Sequence, residues 1–204
     1  PGAPDAVFTN RGCFVEDFTP DYFLPGVSRA IAESLDPMVH LLVHAGRAAF
    51  AEARTDRLQS NRAGVIIGNV ALPSAGSSAL CDEVLAPLFE QRILGRAKRG
   101  TSVLAAPLNR YVSGLPAGLL ARALGLGGGC YALDAACASS LYALKLACDE
   151  LHARRADAML AGGLSRPDSL YTQMGFSQLR ALSPSGRCSP FDRKGDGLIV
   201  GGLP

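Results

Sequence analysis

The sequence predicts an α/β fold of layered type, and three observations carry that prediction. The run Arg62-Ala63-Gly64-Val65-Ile66-Ile67-Gly68-Asn69 is β-branched and bounded by turn residues, which reads as a buried strand. From residue 130 to 163 a short apolar strand, a helix and a second buried strand follow one another, arguing for a right-handed crossover and a parallel pairing. Helical patterns between these strands complete a β–α–α–β order suited to helices layered on a sheet. At 204 residues, with 48% apolar residues, the chain is long enough for one sizeable core.

The leading residues 1–27 are rich in Pro, Asp and aromatics and read as irregular. From Pro37 to about Arg54 the pattern is helical: Asp36 caps, and Pro37 takes the first helical position. His40 and His44 lie one turn apart there. No Glu follows His40 as HExxH requires, so both read as ordinary helix-surface residues. In the strand at 62–69 the Gly64-x-x-x-Gly68 spacing reads as close strand packing, because neither GxGxxG nor GK[ST] occurs in the chain. Helices are expected at 77–94 and at 115–124, the latter with Pro116 near its start.

Gly127-Gly128-Gly129 brakes the chain before the strand that opens at Cys130. A helix follows from Ser139 to about Arg154, with Leu141, Leu144, Cys148 and Leu151 on one stripe expected to face inward. His152 reads as surface. Ala156–Gly163 is the next buried strand.

Net charge is +2 with both signs interspersed, which gives no argument for nucleic acid; the basic run Arg96-Ala97-Lys98-Arg99 reads as a solvated loop. No apolar run reaches the ~18–20 residues of a membrane span and no signal peptide opens the chain, so a cytoplasmic protein is expected. The six cysteines (13, 81, 130, 137, 148 and 188) include no CxxC pair and read as reduced thiols, mostly small core fillers. No metal site and no bound cofactor are expected.

Cys137 stands apart because it falls where a strand hands over to a helix. A free thiol with a pKa of about 8.5 is mostly protonated at neutral pH. A helix N-terminus carries roughly half a positive charge and favours the thiolate. A strand-to-helix turn presents its residue at a sheet edge, and flanking alanines leave room for a substrate. Ser139 and Ser140 are expected to cap the helix's first turn. A buried inert cysteine is the competing reading. Cys188, in a polar loop beside Arg187, ranks second as a reactive thiol.

The stretch Asp134-Ala135-Ala136-Cys137-Ala138-Ser139-Ser140-Leu141 resembles the active-site signature of the β-ketoacyl synthases of fatty acid and polyketide synthases. Gly175-Phe176-Ser177-Gln178-Leu179-Arg180-Ala181-Leu182-Ser183 is similar to that family's GFxxxRALS. Residues 186–201 are similar to its GRCxPFDxxxDGFVxGEG. Phe18–Phe23 with Asp36-Pro37-Met38, the GVxxG-like strand at 64–68 and Pro107-Leu108-Asn109-Arg110 (beside the family's ANRI) follow in the family's order.

The resemblance implies a thiolase-like layered αβα fold, with residues 1–204 as the N-terminal portion of a synthase domain whose C-terminal half is missing. It implies that Cys137 carries an acyl chain as a thioester, delivered on the phosphopantetheine arm of an acyl carrier protein, for decarboxylative condensation with a malonyl-type extender. Phe176, which reads simply as core by composition, would line the acyl pocket. The family's dimers pair the strand leading to this cysteine, so a homodimer near Leu133, or assembly with the missing half, is expected. The condensing histidines of the family lie in segments this chain lacks, which leaves the isolated chain without condensing activity. Two other classes stay open: a non-catalytic interaction or dimerisation module, and a cysteine hydrolase whose base would be His40, His44 or His152.

Overall fold

The structure, a computed structural model, describes residues 6–7, 9, 11–16, 18–54, 56–72, 75–95, 107–111, 113–165 and 170–202. In chain order its elements are β1 (Cys13–Phe14), α1 (Arg29–Ser34), α2 (Pro37–Glu52), β2 (Ala63–Asn69), α3 (Ala75–Val84), α4 (Ala86–Leu94), α5 (Gly114–Ala123), β3 (Cys130–Leu133), α6 (Ser139–His152), β4 (Ala158–Leu164), α7 (Leu170–Gln178) and β5 (Gly201–Gly202). They form two compact units, Thr19–Ala71 with Ala75–Leu164, and Pro1–Phe18 with Leu72–Ser74 and Ser165–Pro204. The basic run at 96–99 lies outside the described residues.

The larger unit is built on a three-stranded parallel sheet of order β3-β2-β4. Every residue of β2 is buried, as its apolar run on both faces demands. Alternation sends Val65 and Ile67 to a core with Met38, Leu42 and Leu120 from α2 and α5. Ile66 points the other way, into a cluster with Ala143 and Ala147 of α6. Helices therefore cover both faces, giving the layered αβα arrangement expected. The expected direct pairing of the strands at 130 and 156 is corrected: β2 lies between them. A strand apolar on both faces is satisfied only in the middle, whereas β3 exposes Cys130 and Tyr131 and takes the edge.

Asp36 caps α2 by accepting the Met38 N–H at 3.0 Å, with Pro37 at the first helical turn as expected. Asn109, itself buried, latches this junction: its Oδ1 accepts the Asp36 N–H at 2.9 Å and its Nδ2 donates to the Ser34 carbonyl at 3.0 Å. The helix expected at 77–94 is two helices broken at Leu85, because Pro87 has no N–H for the preceding turn and its ring crowds it.

Two expectations about α6 and the thiols fail. Leu141, Leu144 and Leu151 are 70%, 56% and 39% exposed, and the face that meets the sheet carries Ser139, Ala143 and Ala147 instead. The cause is proximity. A Cβ at Gly68 would lie 2.4 Å from the Ser139 carbonyl carbon, and one at Gly163 would lie 2.8 Å from the Ser140 Cβ. A helix this close takes small residues at its nearest approach, and Leu146 is the α6 leucine that packs, partly buried, beside them. All six cysteines are exposed, Cys148 included, so none is a core filler.

In the smaller unit β1 pairs with β5 in parallel, and Leu182 bridges Leu198. The buried Ser183 hydroxyl donates to Asp196 at 2.5 Å and accepts the Arg187 N–H at 3.2 Å, while the Ser185 N–H donates to the other Asp196 oxygen. These bonds hold the Asp196 carboxyl below the usual carboxylate range, with the Ser183 hydroxyl the largest cause. A Cβ at Gly197 would lie 2.5 Å from the Ser183 nitrogen, so the loop closes only over glycine.

Candidate active site

The site grows from the C-terminal end of β3. After Leu133 the chain turns through Asp134 and Ala135, and a single 3-10 turn spans Ala136–Ala138 before α6 begins at Ser139. Cys137 sits inside that turn, exposed, one residue before the helix N-cap Ala138. Ala136 has φ +50°, a left-handed conformation that costs a non-glycine residue about 1–3 kcal/mol.

Three bonds hold this conformation. Asp134 Oδ1 accepts the Ala136 N–H at 2.9 Å, closing an Asx turn. Ser139 Oγ accepts the Ala135 N–H at 2.9 Å and donates to the Ala136 carbonyl at 2.6 Å. The other Asp134 oxygen faces the Ala71 N–H at 3.4 Å, linking the turn to the chain leaving β2. The expected helix cap is thereby corrected. Ser139 lies past the N-cap, so its hydroxyl reaches back to the turn, and no side chain caps α6.

The remaining candidates lie elsewhere. His40 is buried rather than on the helix surface: its Nε2 is 3.0 Å from the Ala32 carbonyl oxygen and Tyr22 meets it edge-on with ring centroids 5.0 Å apart. Burial pushes its pKa down, against the opposing pull of the Ala32 carbonyl and Asp36. His44 is exposed on α2. His152 is exposed at the last residue of α6, about 20 Å along the helix from its start. That distance removes it as a base for Cys137. Desolvation pushes the Cys130 thiol up, leaving less thiolate there. Cys188 is exposed in the smaller unit's loop. Phe176 lies on α7, half-buried, also in the smaller unit. Among the described residues no group of three His, Cys, Asp or Glu side chains is placed to hold a metal ion.

The residue pattern pointed to Cys137 but not to the groups that shape its turn. Asp134 two residues before Ala136 is the one readable signal, an aspartate placed for an Asx turn. The backward bond of Ser139 had none, since serine beside a helix start ordinarily reads as a cap.

The model of the "Beta-ketoacyl synthase, N-terminal domain" matches residues 1–202. The chain belongs to this family. Among its relatives is a phenolphthiocerol/phthiocerol polyketide synthase of Mycobacterium tuberculosis, 34% identical over 211 residues that cover 98% of this chain. A PKS-NRPS hybrid synthetase of Aspergillus niger is 32% identical over 206 residues. The chain spans 10% of the length of each of these two relatives. Among solved structures, the PfaC keto synthase-chain length factor superposes with a TM-score of 0.75 at 32% identity, over 98% of this chain and 22% of that one. A β-ketoacyl synthase from Burkholderia phymatum shares the fold, with a TM-score of 0.65 at 21% identity, over 96% of this chain and 46% of that one. The thiolase-like α/β fold of these ketosynthases is the fold of this member of the family.

Proposed function

We propose that residues 1–204 are the acyl-accepting portion of a polyketide-type ketosynthase, with Cys137 as nucleophile. The Cys137 thiolate attacks the carbonyl of an acyl thioester carried on the phosphopantetheine arm of an acyl carrier protein. A carbon–sulfur bond forms to Cys137 as the bond to the arm breaks, and the arm leaves as its thiolate, which takes up a proton. The observation that carries this reading is the strained turn: Ala136 at φ +50° immediately precedes an exposed cysteine between β3 and α6. Strain of this kind persists where the surroundings enforce it, and it concentrates at sites of function.

Phe176 is proposed to line the acyl pocket. Condensation with a malonyl-type extender needs an enolate and an oxyanion to be stabilised, work we assign to histidines of a C-terminal half that would pack with this chain. A homodimer along the β3 edge belongs to the same reading. The same reading has the chain work in the cytoplasm, where thiols stay reduced for thioester chemistry. No helix among the described residues is long and apolar enough to cross a membrane.

Intact-mass analysis after incubation with a short acyl thioester tests the proposal. One acyl adduct mapping to Cys137, absent in Cys137→Ala, is the expected result. Adducts spread over the six cysteines would overturn it. A second reading, a non-catalytic interaction module, draws on the exposed apolar stripe Leu141–Leu144–Leu151 of α6, and it predicts no selectivity for Cys137.

A further inference from the structure

Resting on the reading of Cys137 as acyl acceptor, we propose that Ser139 is a positioning residue that aims the Cys137 sulfur by holding Ala136 in its left-handed conformation. One hydroxyl bonds both peptide groups that flank the Ala135–Ala136 pair. It accepts the N–H at Ala135 and donates to the carbonyl of Ala136, at 2.9 and 2.6 Å. That carbonyl belongs to the peptide joining Ala136 to Cys137, so its direction fixes the plane from which the Cys137 side chain departs. Asp134 Oδ1 holds the N–H of the same Ala136 at 2.9 Å, leaving the residue bonded at both ends.

Ser139 is placed to do this and its neighbour is not. Ser139 is 4% exposed, so solvent does not replace its two bonds. Its backbone is seated against β2, where a Cβ at Gly68 would strike its carbonyl carbon and oxygen at 2.4 and 2.5 Å. Ser140 is exposed and makes no such contact with the turn. The left-handed φ of Ala136, the buried hydroxyl and the seat on Gly68 together transmit the position of the rigid sheet to the sulfur. A cap would instead serve the helix, and α6 has no side-chain cap.

The test uses the full chain with Ser139→Ala, Ser139→Thr and the double variant Ser139→Ala/Ala136→Gly. Cys137 is reacted separately with an N-acetylcysteamine acyl thioester and with iodoacetamide, and amide hydrogen exchange is followed at Ala135 and Ala136. Acyl transfer demands a defined approach, and misplacement of the order of 1 Å costs up to about 100-fold. Ser139→Ala should therefore slow acylation about tenfold while changing iodoacetamide labelling less than about twofold. Ser139→Thr, which keeps the hydroxyl, should restore acylation, and Ala136→Gly should restore part of it, because glycine adopts positive φ freely. Equal acylation by wild type and Ser139→Ala, or a parallel loss with both reagents, overturns the positioning role. A wild-type chain that alkylates at Cys137 but is never acylated refutes the acyl-acceptor reading instead. In that event exchange decides the latch: faster exchange at Ala135 in Ser139→Ala supports it, and unchanged exchange removes it.

Discussion

Gly68→Ala is the substitution that most directly probes how the site is seated. Its Cβ would lie 2.4 Å from the Ser139 carbonyl carbon, 2.5 Å from the Ser139 oxygen and 2.7 Å from the Ser140 nitrogen. Non-bonded carbons settle at about 3.5–4.0 Å, so α6 must retreat by roughly 1 Å. The strand has nowhere to go, because β2 is buried along its whole length and bonded on both edges. Retreat of the helix opens the cluster of Ile66, Ala143 and Ala147. All three of these atoms are backbone, so no side-chain rotation relieves the contact, and a cost near the upper end of overpacking, about 2–3 kcal/mol, follows. With a urea slope of about 2–3 kcal/mol/M, the unfolding midpoint should drop by about 1 M. Acylation of Cys137 should fall with it, since the turn hangs on Ser139. Gly162→Ala on β4, where an added Cβ meets nothing within 4 Å, is the control and should stay within about 0.5 kcal/mol. A wild-type midpoint for Gly68→Ala would refute the reasoning.

Asn109→Ala should cost about 1–3 kcal/mol in urea unfolding, because it leaves the Asp36 N–H of the buried α1–α2 junction without its acceptor; a loss below about 0.5 kcal/mol would show that water takes its place. Burial lowers the His40 pKa in the folded chain, so the unfolded chain binds more protons just below the ordinary value of 6.5. Stability should be full above pH 6.5 and fall as pH drops from there toward the lower folded value, a slope that His40→Gln removes; an unchanged slope in that variant argues against it. Asp196 has its folded pKa lowered chiefly by Ser183, so its contribution is present above the unfolded value and is lost as pH falls through the folded one. Asp196→Asn should flatten the acid limb of the unfolding profile, and an acid limb identical to wild type would count against the network. Leu144→Lys, on a side chain 56% exposed, should leave the unfolding midpoint within about 0.5 kcal/mol of wild type, and a loss above about 1 kcal/mol would show that this leucine is packed.

Much of the frame could be read from residues alone, where one local rule decided the outcome. The β-branched run at 62–69, the Asp36-Pro37 helix start and the small-residue handover at Cys137 each obey a single rule, and each appears within a residue or two of its expected place. The readings that failed depended on what lies across a packing contact. His40 shares the helical spacing of the exposed His44, yet it is buried, with Tyr22 and the Ala32 carbonyl from other segments against its ring. The strand order placed β2 between β3 and β4 because burial on both faces outranked sequence adjacency. Leu85 ended a helix although its periodicity continued, since Pro87 acts on the turn before it.

The inverted α6 shows why a hydrophobic stripe alone does not say which way a helix faces. Leucines at Leu141, Leu144 and Leu151 form the more apolar side, and a two-layer protein would turn them inward. Against this sheet they stay outward, because Gly68 and Gly163 bring the helix so near that Ser139, Ala143 and Ala147 form its buried contact face, with Leu146 partly buried beside them. Small residues on both surfaces permit the approach, and the approach in turn fixes Ser139 beneath the turn that carries Cys137. The leucines are displaced to the outer side by the same geometry that seats the turn of Cys137. A helix with one face committed to close contact and the other apolar suits an inner layer, with more protein beyond it. The exposed stripe and the seat of Ser139 beneath the turn are in this sense two consequences of one pair of glycines.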